Sequence, residues 1–115
     1  MTAHPKVTLV TCQSMPNLFK GEEGLLDELA ARGCDPQVKV WNDPDVDWSE
    51  AGMVVVRSVS DYASDRPAFL EWTKQLSRVQ NSADVLNWNT DKHYLKDLAA
   101  LGMPTIPTNW LEPEQ

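Results

Sequence analysis

Met53-Val54-Val55-Val56-Arg57 is a short, uninterrupted apolar run ended by a cation. Three consecutive valines favour extended backbone, because β-branched side chains fit a pleated surface. With no polar residue alternating between them, the run reads as a strand apolar enough to be covered on both faces. Lys6 to Cys12 has the same character and reads as a second buried strand. Between the two, Gln13 to Lys20 contains the breakers Pro16 and Asn17 and is expected to be a loop. Gly21 to Arg32 is expected to be a helix with Leu25, Leu26 and Leu29 on its core face. Acids open it, Arg32 suits its last turn and Gly33 stops it. Gln37 to Trp41 alternates and reads as another strand, followed by an acidic loop, Asn42 to Ser49. Beyond Arg57 lies a loop, Ser58–Asp65. Arg66 to Val79 is then expected to be helical, capped by Asp65, with Pro67 in its first turn and Phe69, Trp72, Thr73, Leu76 and Val79 toward the core.

The C-terminal third follows the same logic. Asn81 to Trp88 is expected to be irregular, with room for one short turn. Tyr94, Leu95, Leu98 and Leu101 recur at helical spacing, with Asn89 or Thr90 as candidate caps. Gly102 and Pro104 end that helix, and Thr105–Thr108 opens a further extended segment. Strands alternating with helices imply a parallel α/β sheet with helices on both faces. Ligands of such sheets gather outside the carboxyl ends of the strands. Here that edge comprises Thr11, Cys12 and Gln13, and Arg57 and Ser58 with the loop to Tyr62.

Composition bounds the function. The chain has 115 residues, enough for one domain, and 10 basic against 17 acidic residues give −7. No cluster of Lys and Arg appears, which speaks against nucleic acid and anionic membranes as partners. No apolar run approaches the ~20 residues needed to span a bilayer, and Met1–Lys6 does not lead into a signal-peptide core. Cys12 and Cys34 have no metal-ligand spacing and imply reduced thiols and a cytoplasmic setting. The five tryptophans, at positions 41, 48, 72, 88 and 110, are expected to make core and subdomain contacts.

Several common uses of a parallel sheet are excluded. Thr11-Cys12-Gln13-Ser14-Met15 follows the first strand, so there is no Gly-x-Gly-x-x-Gly cradle for a pyrophosphate. A cysteine-phosphatase loop starting at Cys12 would require arginine where Leu18 stands. Cys12 is expected to be a packed thiol rather than a nucleophile. Arg57 is the more pointed signal. A cation ending a buried strand must reach water, an acid such as Asp61, or a ligand, and guanidinium matches a carboxylate bidentately. Lys92 is the second. It stands near a helix start, where a cation opposes the helix dipole, so it is either solvated or waiting for an anion such as phosphate.

Asn89-Thr90-Asp91-Lys92, followed by Tyr94-Leu95, Asp97-Leu98 and Leu101-Gly102-Met103-Pro104-Thr105-Ile106-Pro107-Thr108, resembles the passage from the N-terminal domain into the ATP-binding region of an ATP-grasp ligase. The similarity is to the glutathione-synthetase-like and RimK-like branch. Val55-Val56-Arg57-Ser58 followed by Asp61-Tyr62, and Asp43-Pro44-Asp45-Val46-Asp47-Trp48 before them, also resemble its third strand and preceding loop. The chain departs at Asn81-Ser82, where that family often has Asn-Pro, and it carries neither the second lysine nor the magnesium carboxylates of a complete enzyme.

The resemblance implies a three-layer, Rossmann-like (pre-ATP-grasp) α/β domain with a mostly parallel sheet over residues 1–108. Residues 109–115 would begin the connection to a missing ATP-binding domain of the same polypeptide. It implies that Lys92 contacts nucleotide phosphates, and that Thr11, Cys12, Arg57 and Ser58 help bind substrate. The complete enzyme would use ATP and magnesium to join a small carboxylate to an amine through an acyl phosphate, and this portion alone would be inactive. The alternative is a stand-alone flavodoxin-like module for a small ligand or a protein partner. A homodimer is left open by either reading.

Overall fold

The structure, a computed structural model, describes residues 4–111. Its centre is a parallel sheet in the order β2-β1-β3-β4, with β1 at Lys6–Thr11, β2 at Asp35–Val40, β3 at Met53–Ser58 and β4 at Val79–Gln80. The two apolar runs are neighbours: β1 pairs with β3 in parallel, Val7 opposite Met53 and Val10 opposite Val56. From β1 the chain builds outward to β2, then returns to the other side of β1 for β3. The order therefore reverses between β1 and β3, and such a switch point leaves a crevice at the carboxyl ends of both strands.

Helices cover both faces, as expected of a three-layer Rossmann-like fold. Helix α1, Gly24–Ala31, packs along β2. It begins later than its leucine pattern implied, because residues 21–23 form a turn in which Glu23 Oε2 accepts from the Gly21 amide at 2.7 Å. Leu25, Leu26 and Leu29 are half-buried. Gly33 ends the helix at φ +89°, and the Gly33 and Cys34 amides donate to Ala30 and Leu29 carbonyls. This is the glycine-closed helix end expected from the sequence.

The main core lies on the opposite face. Val10 and Val54 from the strands, with Cys12 just past β1, meet Trp41, Val59, Phe69, Trp72 and Leu86. Helix α2, Arg66–Lys74, starts as expected: Asp65 Oδ1 accepts from the Ala68 amide at 3.2 Å and Pro67 occupies the first turn. It is shorter than the expected Arg66–Val79. Val79 leaves the helix to pair with Val54, and the Val54 amide donates to Arg78 O at 2.9 Å. Pairing with β3 satisfies backbone groups around Val54 and Val55, which one more helical turn would not do.

The segment expected to be irregular contains a further helix, α3 at Ala83–Asn89, capped by Ser82, whose Oγ accepts from the Val85 amide. This removes both expected caps from the last helix, α4 at Tyr94–Ala100. Asn89 belongs to α3, and Thr90 closes that helix by donating to Leu86 O at 2.5 Å. Gly102 (φ +83°) ends α4 as expected, with the Gly102 and Met103 amides on Ala99 and Leu98 carbonyls. Leu101 is not a core residue: it is 78% exposed. Residues 103–111 form no strand, so the extended segment expected from Thr105 does not pair with the sheet. Of the segment 109–115, residues 112–115 lie outside the described residues, as do residues 1–3 of the segment weighed as a signal peptide. No helix among the described residues is long and apolar enough to cross a membrane.

Candidate functional site

Arg57 is placed by an irregularity in the β1–β3 pairing. Val10 faces Val56, but Thr11 faces Ser58, so Arg57 has no counterpart on β1. An extra residue of this kind re-aims a side chain at a strand end. The guanidinium meets Glu22, with Arg57 Nη2 donating to Glu22 Oε1 at 2.6 Å. Ser58 Oγ donates to the other carboxylate oxygen at 3.1 Å and accepts from the Phe19 amide at 3.1 Å. An acid of the domain thus meets Arg57, but not Asp61, which accepts from Trp41 Nε1 at 3.0 Å.

Thr11, Cys12 and Ser58 are all fully buried. Thr11 Oγ1 donates to Met15 O at 2.6 Å, turning the loop that leaves β1. Cys12 Sγ lies 3.3 Å from Ser14 Oγ and 3.6 Å from Ser60 Oγ. These three residues are thus covered beneath the strand ends, whereas Arg57 is exposed there.

Beside that edge is an open cavity of about 510 Å³, bounded by Val56 and Arg57 of β3, Tyr62, Trp88, Lys92 and Tyr94. Phe69 and Leu86 join its wall to the core. Helices α2 and α3 hold the wall in register, because Arg66 Nε donates to Thr90 Oγ1 at 3.0 Å and its Nη2 to Asn87 O at 2.6 Å. Trp88 and Tyr94 meet edge to face at 5.4 Å, and Trp88 Nε1 donates to Asp97 Oδ2 at 2.6 Å. Two of the five expected site residues, Arg57 and Lys92, therefore share one cavity. Glu22, Trp88 and Tyr94 are not among the residues expected at a site from the sequence. Glu22 carries no local signal, because its role depends on where the loop after β1 crosses the end of β3.

Lys92 precedes α4 rather than lying in its first turn. Its Nζ is 5.9 Å from the Tyr94 ring centroid, and among the described residues no carboxylate comes within ion-pair distance of it. The neighbouring Asp91 carboxylate already occupies the helix entry, accepting from the His93 amide at 3.0 Å and contacting His93 Nδ1 at 2.6 Å. The His93 backbone N–H, seconded by its ring, holds the Asp91 carboxyl below the ordinary carboxylate value. A depressed folded-state value means that this contact favours the folded turn at neutral pH, and that the contribution is lost as pH falls through the folded value. In a carbon-detected NMR titration, the Asp91 carboxyl is expected to titrate below the range of an ordinary exposed aspartate. A midpoint within or above that range would contradict the hydrogen-bonded turn.

The geometry has relatives. Residues 7–87 match the family described as D-cycloserine synthetase DcsG, N-terminal domain. The chain is 37% identical over 92 residues to the cycloserine biosynthesis protein DcsG of Streptomyces lavendulae, covering 77% of this chain and 31% of that protein. It also superposes on the crystal structure of D-cycloserine synthetase DcsG with a TM-score of 0.80 at 33% identity, over 88% of this chain and 35% of that one. The chain thus spans about a third of the length of these relatives. Arg57 lies inside the matched span and Lys92 beyond it. With the family model covering most of the chain and the fold superposing closely, the chain belongs to the D-cycloserine synthetase DcsG N-terminal domain family.

Proposed function

We propose that this domain is the substrate-binding portion of an ATP-dependent carboxylate–amine ligase of the ATP-grasp type, serving the synthesis of D-cycloserine or a related compound. The observation that carries the reading is that Arg57 and Lys92, distant in sequence, line one cavity at the carboxyl edge of the sheet. Arg57, with Ser58 behind it, would hold a substrate carboxylate through charge-assisted hydrogen bonds. Lys92 fits a phosphate: it is exposed, lines the cavity and faces no acid among the described residues. ATP, when bound, supplies the phosphoryl group that makes a carboxylate reactive toward an amine. Trp88 and Tyr94 would limit the water that reaches the cavity. Magnesium coordination and the adenine slot are assigned to the rest of the complete enzyme.

The reading predicts weak nucleotide binding by the 115-residue chain. One exposed charge contact is typically worth under ~1 kcal/mol, whereas micromolar affinity needs about 8 kcal/mol. Calorimetric titration with Mg-ATP is expected to give a Kd in the millimolar range or weaker, rising with salt. A low-micromolar Kd abolished by Lys92→Ala would instead reveal a complete nucleotide site within this domain.

A further inference from the structure

Both donors assigned to the substrate carboxylate are already engaged, and by a carboxylate. Glu22 Oε1 accepts from Arg57 and Oε2 from Ser58, so one side chain spans the two residues in the manner of a bound acid. We propose that Glu22 is an internal latch: it fills the Arg57–Ser58 clamp in the free domain and leaves when a ligand carboxylate enters. The inference rests on the reading of Arg57 as a carboxylate clamp and extends it to how the clamp is kept and opened.

The segment carrying Glu22 is built to be released as a unit. Residues 19–22 form one turn, closed by the Glu22 amide on Phe19 O at 2.9 Å. The turn is fastened to the end of β3 by the same two residues, Ser58 receiving the Phe19 amide and Arg57 and Ser58 holding Glu22. Its apolar anchor is Leu18, buried and held at φ +75°, at the hinge rather than on the turn. Phe19 itself is 46% exposed, so the turn is only partly packed down. Gly21, at φ +100°, has open space where a β-carbon would point, which leaves room around the turn. The ion pair itself is accessible, with 42% of the Arg57 and 25% of the Glu22 side chain exposed. A partly exposed pair contributes little net stability, and an incoming carboxylate restores each hydrogen bond that Glu22 gives up. A tethered competitor weakens apparent affinity by the fraction of time the clamp is free.

The test is an NMR titration of the labelled 115-residue chain with sodium succinate at constant ionic strength, following the Arg57 Nε–H and Phe19 amide signals. In Glu22→Gln, which keeps the shape but not the charge, succinate is expected to bind about tenfold more tightly than in the wild type, as for a clamp free one time in ten. In the wild type, the Phe19 amide should shift together with Arg57 as the turn lets go. Glu22→Asp, too short to span both donors, should fall between the two and serves if the glutamine variant does not fold. Equal or weaker binding by both variants, with Arg57 still responding, would overturn the latch while leaving the clamp intact. No response of Arg57 in any chain would overturn the clamp and the latch together.

Discussion

Phe69→Ala is expected to cost about 3–5 kcal/mol of stability, a large part of the 5–15 kcal/mol that a domain of this kind possesses. Phe69 is 1% exposed and sits among three aromatic rings: Trp41 and Trp72, each at 5.6 Å, and Tyr62 at 5.9 Å. Removing it takes away the burial of the ring and the edge contacts around it. The hole would open into the candidate cavity, which Phe69 also lines. Urea unfolding followed by tryptophan fluorescence reads the loss directly. A cost below about 1 kcal/mol would mean that the core is not organised around this ring.

Gly52→Ala is expected to be comparably damaging, by about 2–5 kcal/mol, for a reason of backbone geometry. Gly52 enters β3 at φ +69°, and a β-carbon there would lie 2.3 Å from the Lys6 carbonyl oxygen of β1. The left-handed conformation alone costs an L-residue about 1–2 kcal/mol, and relieving the clash must push apart the start of the β1–β3 pair. Gly33 and Gly102 provide the control, since their φ values are also positive but nothing lies within 4 Å of the added carbon. Alanine at either should cost only the conformational part, about 1–2 kcal/mol. Thermal melts that rank Gly52→Ala level with these two would contradict the close approach of the strands.

The central strands were legible because their sequence leaves little choice. Val7–Val10 and Val54–Val56 are apolar and β-branched, and they pair in parallel as that pattern requires. The helix ends at Gly33 and Gly102 were legible because a left-handed stop favours glycine. Elements governed by distant contacts were not. Strand β4 is two residues long, and Val79 reads equally well as the next turn of α2 until β3 is known to need a partner. Helix α3 buries only Leu86 among its described residues, so it has no period to detect, although Ser82 with Asp84 in the first turn is a capping signal that sequence alone offers. Leu101 keeps the helical spacing of α4, but no neighbouring element covers it.

The candidate site divides in the same way. Arg57 stood out because a cation ending a buried strand needs a partner, yet which acid it meets depends on the path of the loop after β1, and Glu22 won over Asp61. Lys92 drew attention mainly through the motif around it. Its place beside the cavity follows from α3 turning the chain back toward β3, a helix that the spacing of apolar residues does not reveal.

The most direct test of the proposed role is the steady-state kinetics of Arg57→Ala in the complete ligase. Loss of a charged hydrogen bond to the substrate is worth about 1.5–3 kcal/mol, which lowers kcat/KM for the carboxylate substrate by about 10- to 150-fold. The KM for ATP should stay close to that of the wild type, since Lys92 rather than Arg57 is assigned to the phosphates. Unchanged kinetics accompanied by a lower Tm would contradict the account and leave Arg57 as the structural partner of Glu22.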